Sequence, residues 1–394
     1  MEQNRAANLE LDSASLLLGD DLGPEVENTA LRDFLRSEIL ASGPITFRRF
    51  MDVVLYHPRE GYYASPREKI GPAGDYLTSA EISPLFGYCL ARQVAEFWRC
   101  LGSPSSFDLV EFGAGTGSLA RDILRWTAAR DPAFHAALKY LIVELSPTLR
   151  AVQADLLRRW LDAGTLRILP AENALEGEAI HGCILSNELL DSFPVHRVTV
   201  QQGRLREVYV GLEDGRLIER IDDISTPELD DYFNRLGLLP GEGCVAEVNL
   251  NAIAWIRAVA TMLQRGYLLT LDYGYPAARL YAPWRRDGSL LCFHRHEAST
   301  DPYIRLGRQD MTAHVDFTSL IEAGHVAGLV DVGQIDQGRF LSNLVLGEAV
   351  QLSGGATPAL EEFYARRRAV SGLLDPAGLG RVKVLLLAKN TGKC

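Results

Sequence analysis

Residues 107–117 read Phe107-Asp108-Leu109-Val110-Glu111-Phe112-Gly113-Ala114-Gly115-Thr116-Gly117, a short apolar run that breaks into glycines at every second position. Ser118 to Arg130 then has helical spacing, with Leu119, Ile123, Leu124 and Trp126 toward one side. Strand, glycine turn and helix in that order open a nucleotide-binding α/β unit. The glycines let the backbone pass close to a ligand where a Cβ would collide, and the helix N-terminus offers free N–H groups.

The spacing narrows what is bound. A dinucleotide fingerprint reads G-x-G-x-x-G, its last glycine serving helix–strand packing. Here the pattern is G-x-G-x-G, with Glu111 two residues before the first glycine. That acidic form resembles motif I of class I S-adenosylmethionine-dependent methyltransferases, which bind a nucleoside carrying an amino acid and no pyrophosphate. A dinucleotide and a purely structural glycine turn stay open at this point.

Composition removes other classes. Of the 394 residues, 47% are hydrophobic and 23% charged, as in ordinary soluble domains. That length predicts two domains or one elaborated domain. No apolar run approaches the roughly 18 to 20 residues needed to span a bilayer. Residues 1–26 are acidic with Arg5 as their single cation, unlike a mitochondrial presequence, and Leu16 to Leu18 is too short for a secretory core. They read as a disordered tail, and the chain as a cytoplasmic protein of bacterial type. The net charge of -11 repels a phosphate backbone, so nucleic acid is disfavoured. The six cysteines are scattered without a C-x-x-C and read as reduced thiols.

The chain divides into an N-terminal helical and lid region, 27–104, and a cofactor-binding domain, 105–394. The first holds two helices broken at Ser42-Gly43-Pro44, with Asn28 and Thr46 as caps. Tyr56 to Pro84 follows, rich in Gly, Pro and aromatics and too long for a connector. It reads equally as a lid or substrate wall and as a packed arm. In the second region, strands at Tyr140–Leu145, Leu166–Pro170, Gly182–Ser186 and Gly266–Asp272 alternate with helices, one of them 146–161. This predicts an α/β fold, a mostly parallel sheet with helices on both faces. Insertions interrupt it at about 195–250, an antiparallel meander turning at Gln202-Gly203 and Asp214-Gly215, and at 274–313. Helix 316–324, strand 328–335, helices near 338–372 and strand Val382–Lys389 close the domain.

Glu144 ends the second strand, where an acid accepts ribose hydroxyls in dinucleotide folds, and Leu145 follows it. Asn187 and Glu188 end the fourth strand at the ligand edge. If the acceptor is a guanidinium, a carboxylate there can fork-bind it, orient it and take its proton. Glu188 is the first catalytic candidate, with Asp191 behind it; holding the cofactor or capping a helix is the plainer alternative. Asp272, Asp75, Glu81, His314 and Asp316 are further polar groups in apolar surroundings. His294 and His296 lack a third ligand at telling spacing, and a metal is not expected.

Five stretches together resemble the MidA family: Leu55 to Tyr63, Gly74 to Gly87, Val110 to Gly117, Ser186 to His196 (S-N-E-L-L-D-S-F-P-V-H) and Gln309 to Phe317. The resemblance runs in order over roughly residues 30 to 390. It implies a class I methyltransferase core with an added N-terminal region and insertions after strands four and five. It also implies S-adenosyl-L-methionine as cofactor and, in mitochondrial members that assist complex I assembly, dimethylation of a protein arginine. Carried onto this chain, the cofactor site would use Glu111, Gly113, Ala114, Gly115, Gly117, Glu144 and Leu145. Asn187 and Glu188 would face the methyl group, and Gly74, Asp75 and Thr78 would close over it. Ala80, Leu306 and Met311 depart from the family pattern, none at a proposed ligand. A small-molecule O- or N-acceptor, a cofactor-binding assembly chaperone and a homodimer stay open.

Overall fold

The apolar run Phe107–Phe112 lies inside a seven-stranded sheet. The computed structural model describes residues 28–392 apart from 66, 68, 72–73, 172–176, 343 and 345–359; the tail expected at 1–26 lies outside them. Numbering the strands of this sheet alone, β1 is Phe107–Phe112, β2 Leu138–Glu144, β3 Leu166–Pro170 and β4 Ile180–Asn187. β5 is Leu263–Asp272, β6 Val330–Asp336 and β7 Lys383–Lys389. Their order is β3-β2-β1-β4-β5-β7-β6. All neighbours from β3 to β5 are parallel, while β7 runs antiparallel to β5 and β6. The chain order reverses between β1 and β4, which opens a crevice at their carboxyl ends.

Successive strand residues enter opposite cores. Leu109, Cys183, Leu185, Leu269 and Leu271 join one cluster, and Val110, Ile184 and Leu268 the other. Burial on both faces is why these strands read as unbroken apolar runs. Helices Pro84–Cys100 and Ser118–Arg130 cover the first face, Leu250–Met262 and Phe317–Val326 the second. Each fully buried Leu or Phe contributes roughly 1.5–3 kcal/mol. Pro84–Cys100, within the stretch 27–104, thus packs directly on the sheet. The helix expected at 146–161 breaks at Leu157 (φ −106°, ψ 10°), whose side chain is buried under Gly117.

A second lobe gathers what the sequence separates. Helices Thr29–Ser42 and Phe47–Tyr56 start at the expected caps: Asn28 Oδ1 accepts from Leu31 N at 3.1 Å and Thr46 Oγ1 from Arg49 N at 3.2 Å. The meander is strands His196–Gln201, Arg204–Glu213 and Arg216–Asp222, extended by Val245–Val248. Ile45–Thr46 joins its edge antiparallel to Tyr209 and Val210. Leu35, Phe50 and Val54 then share a core with Val195 and Val210, and with Leu290, Cys292 and Met311 of the second insertion. Cys89, Cys183, Cys244 and Cys292 are buried and take no part in a disulfide, whereas Cys100 is disulfide-bonded, which corrects the expectation of six reduced cysteines. No described helix is long and apolar enough to cross a membrane.

Candidate active site

Two cavities lie along the carboxyl edge and share a wall. The larger, about 670 Å³, runs over the glycine turn. Gly113 and Gly115 hold φ of +66° and +55°, a conformation costly for any side chain with a Cβ. A Cβ at Gly113 would also stand 2.7 Å from Leu189 Cδ1. Glu111, Ala114, Leu145, Thr78, Asn187 and Glu188 line this space with them.

Glu144 reaches the cavity from the end of β2, buried and fixed. Its Oε1 accepts from Ser146 N at 2.9 Å and its Oε2 from Gln153 Nε2 at 3.2 Å, while burial raises its carboxyl above the usual range. Gln153 Nε2 also donates to Gly115 O at 2.9 Å, tying the acid to the glycine turn. Glu111 accepts from Tyr140 OH at 2.6 Å, and burial pushes its carboxyl up to about 7. Asn187 Oδ1 is a buried acceptor with no donor among the described residues, which a cofactor bearing an ammonium group would satisfy.

The smaller cavity, about 310 Å³, is lined by Asp75, Asp191, Asp310, Thr312, His314 and Tyr273 among others. Tyr63, Tyr76, Glu188 and Ser192 line both. Glu188 is the hinge between them. Its φ is +50°, uncommon outside glycine, and its N–H donates to Leu271 O at 2.8 Å. Its Oε1 accepts from Ser79 N at 3.0 Å and Asn187 Nδ2 at 3.3 Å. Burial, reinforced by Asp272, pushes its carboxyl up to about 7.

Asp272 stands behind this turn. It accepts from Leu189 N at 3.1 Å, Leu190 N at 2.7 Å and Tyr273 N at 2.8 Å, so it fixes the backbone that presents Glu188. Burial raises Asp191 far above its ordinary range, helped by Asp272, Glu188 and Asp310. Asp310 accepts from Tyr63 OH at 2.8 Å and Met311 N at 3.0 Å, and burial pushes it up to about 7.

The expected residues therefore divide. Glu111, Gly113, Ala114, Gly115, Glu144, Leu145, Thr78, Asn187 and Glu188 meet at the larger cavity, and Asp191 at the smaller. Gly117 lies outside the lining, below the turn; its φ of +88° and the closeness of Leu157 explain the glycine. Gly74 is also outside, and a Cβ there would meet Lys69 O at 2.3 Å. Asp75 lines the smaller cavity instead, where Tyr62 OH (2.8 Å), Arg67 Nη1 (3.0 Å) and Arg295 N (2.8 Å) donate to it and lock the loop to the second insertion. Asp316 caps helix Phe317–Val326 and accepts from Tyr232. Ala80 does line the larger cavity, so one departure from the family pattern touches the site. Tyr63, Tyr76, Asp310 and Gln153 are not among the expected site residues, although Asp310 lies in the stretch Gln309 to Phe317 beside His314 and Asp316.

Comparison with known proteins agrees with this geometry. The family model for S-adenosyl-L-methionine-dependent methyltransferases matches residues 89–335. The Drosophila melanogaster protein arginine methyltransferase NDUFAF7 homolog, mitochondrial, is 31% identical, covering 90% of this chain and 83% of its own. Its Homo sapiens counterpart is 28% identical, covering 80% and 73%. A crystal structure from Burkholderia thailandensis bound to S-adenosyl-homocysteine superposes with a TM-score of 0.82 at 34% identity, covering 93% of both chains. The cradle at the glycine turn, the acid on β2 and the orphan acceptor of Asn187 fit that cofactor, and the chain belongs to the MidA-like family of S-adenosyl-L-methionine-dependent methyltransferases.

Proposed function

We propose that the protein methylates the guanidinium of an arginine in a protein acceptor. One observation carries this reading: Glu188, Asp191 and Asp310 crowd the smaller cavity, and none forms an ion pair with a described residue. Buried carboxylates without cations are costly unless a positive ligand joins them. A guanidinium is cationic, planar and able to bond several of them at once. The relatives in fly and human carry the name protein arginine methyltransferase, which supports the same class; the resemblance adds a respiratory-complex subunit as acceptor.

The cofactor supplies an electrophilic methyl group on a sulfonium. The chain's own residues position the acceptor. Glu188, standing in both cavities, accepts from the guanidinium N–H groups, aims the nitrogen at the methyl and takes the proton released as the nitrogen is alkylated. Asp272 and Ser79 N keep its carboxylate in place.

The test is Glu188→Gln. Transfer of labelled methyl to arginine-containing protein should fall at least about a hundredfold, with S-adenosyl-homocysteine affinity within a few fold. Undiminished transfer would remove Glu188 from the chemistry. The native rate should rise with pH through about 7, because the raised carboxyl must lose its proton before it can accept another. The variant should lack that rise.

A further inference from the structure

Around the mouth of the smaller cavity the charge reverses. His314, in the cavity lining, meets the ring of Tyr275 edge-on at 5.2 Å between centroids. Over the same Tyr275 ring sit Arg279 at 4.4 Å, Arg285 at 5.2 Å and Lys383 at 6.0 Å. Arg381, also in the lining, stands 5.9 Å from the Tyr273 ring. Lys383 is paired with Asp336, but Arg279, Arg285 and Arg381 form no ion pair with a described residue. Arg285 Nε is buried without a partner among the described residues, and the neighbouring Trp284 is 77% exposed. In a chain with a net charge of -11, this gathering of cations is a local exception.

We propose that this rim docks an acidic segment of the acceptor protein, seated beside the arginine that enters the cavity. The proposal rests on the arginine reading for what enters and on the rim for what flanks it. Guanidinium groups stacked on one aromatic ring repel each other. The ring returns only about 0.5–1 kcal/mol per exposed cation, and carboxylates bound fork to fork remove the repulsion. Trp and Arg are among the residue types enriched where interfaces concentrate their binding energy. A basic rim also repels lysine- and arginine-rich flanks, so acidic cavity and basic rim select together. An anionic membrane or nucleic acid would also be drawn to the rim's positive charge but would meet the acidic remainder of the surface, which a short acidic segment avoids.

The test uses the full chain with synthetic peptides: an arginine flanked by glutamates, the same arginine flanked by glutamines, and the glutamate peptide with alanine for arginine. Fluorescence anisotropy reads binding, and methyl-transfer kinetics read KM and kcat. The glutamate peptide should bind about five- to tenfold more tightly than the glutamine peptide, with an advantage that fades in salt. In Arg279→Gln/Arg285→Gln the advantage should vanish through KM, with kcat and S-adenosyl-homocysteine affinity unchanged, and the double lysine variant should restore part of it. Equal binding of the two arginine peptides overturns the proposal, as does a preference that survives in the glutamine variant. Rim-dependent binding to phosphatidylserine vesicles with none to the glutamate peptide overturns it too. If neither arginine peptide is methylated, the arginine reading falls, while binding of the alanine peptide still decides the rim.

Discussion

The two cavities meet at Glu188 but are built in opposite ways. The larger is floored by the carboxyl ends of neighbouring strands β1, β2 and β4, where three parallel strands stop and their next residues must turn, with the loop after helix Phe47–Tyr56 along one side. The smaller is assembled from the loop after helix Phe47–Tyr56, the turn after β4 and the second insertion, segments far apart in the chain. The first borrows its rigidity from a sheet buried on both faces. The second depends on a lobe whose core is contributed by the N-terminal helices and both insertions. Cofactor binding and acceptor binding should therefore respond separately to substitution, and the point where they touch should respond most.

Glu188→Gln is expected to have the largest effect, because among the four side chains that line both cavities it is the one carboxyl. Glu144→Ala comes next and should act on the cofactor side only. Leaving the donors that face it unpaired costs roughly 1–3 kcal/mol, to be read by calorimetric titration with S-adenosyl-homocysteine. Unchanged affinity would detach β2 from the cofactor site. Asp310→Asn should act on the other side, raising acceptor KM by about tenfold while cofactor affinity holds. Equal losses on both sides would show that the cavities cannot be separated. Asn28→Ala is the gentlest probe. It removes a helix cap and a bond to Glu60, so thermal unfolding should reveal about 1 kcal/mol lost from the lobe, with cofactor affinity unmoved.

The same contrast explains what could be read in the sequence. Strand ends and the turns that follow them are local, so Gly113, Gly115, Glu144 and Glu188 announced themselves by spacing. The boundaries of Ser118–Arg130 and Leu166–Pro170, and the turns of the meander, were legible for that reason. Tyr63, Tyr76 and Asp310 reach their cavity by tertiary folding across about 250 positions, and no period marks them. Asp75 shows the reverse error. Its motif was visible, but whether its carboxylate faces a ligand or an arginine depends on Arg67 and the backbone of Arg295, which no local pattern reports. Helix Pro84–Cys100 looked like the end of the N-terminal region because its partners, Leu109 and Cys183, come later in the chain.

The left-handed backbone of Glu188 has an evolutionary consequence. Glycine would relieve that strain, and it would remove a carboxyl that burial keeps from ionising freely. Water entering from either cavity can replace the lost acceptor at Ser79 N. Glu188→Gly should therefore melt at a temperature no lower than the native chain while transferring no methyl. Proteolytic quality control acts on instability and would pass such a lineage unseen. With the proposed role for Glu188, need for the methylated product is what would keep glutamate there, and a descendant released from that need would drift into a durable, silent cofactor-holding scaffold.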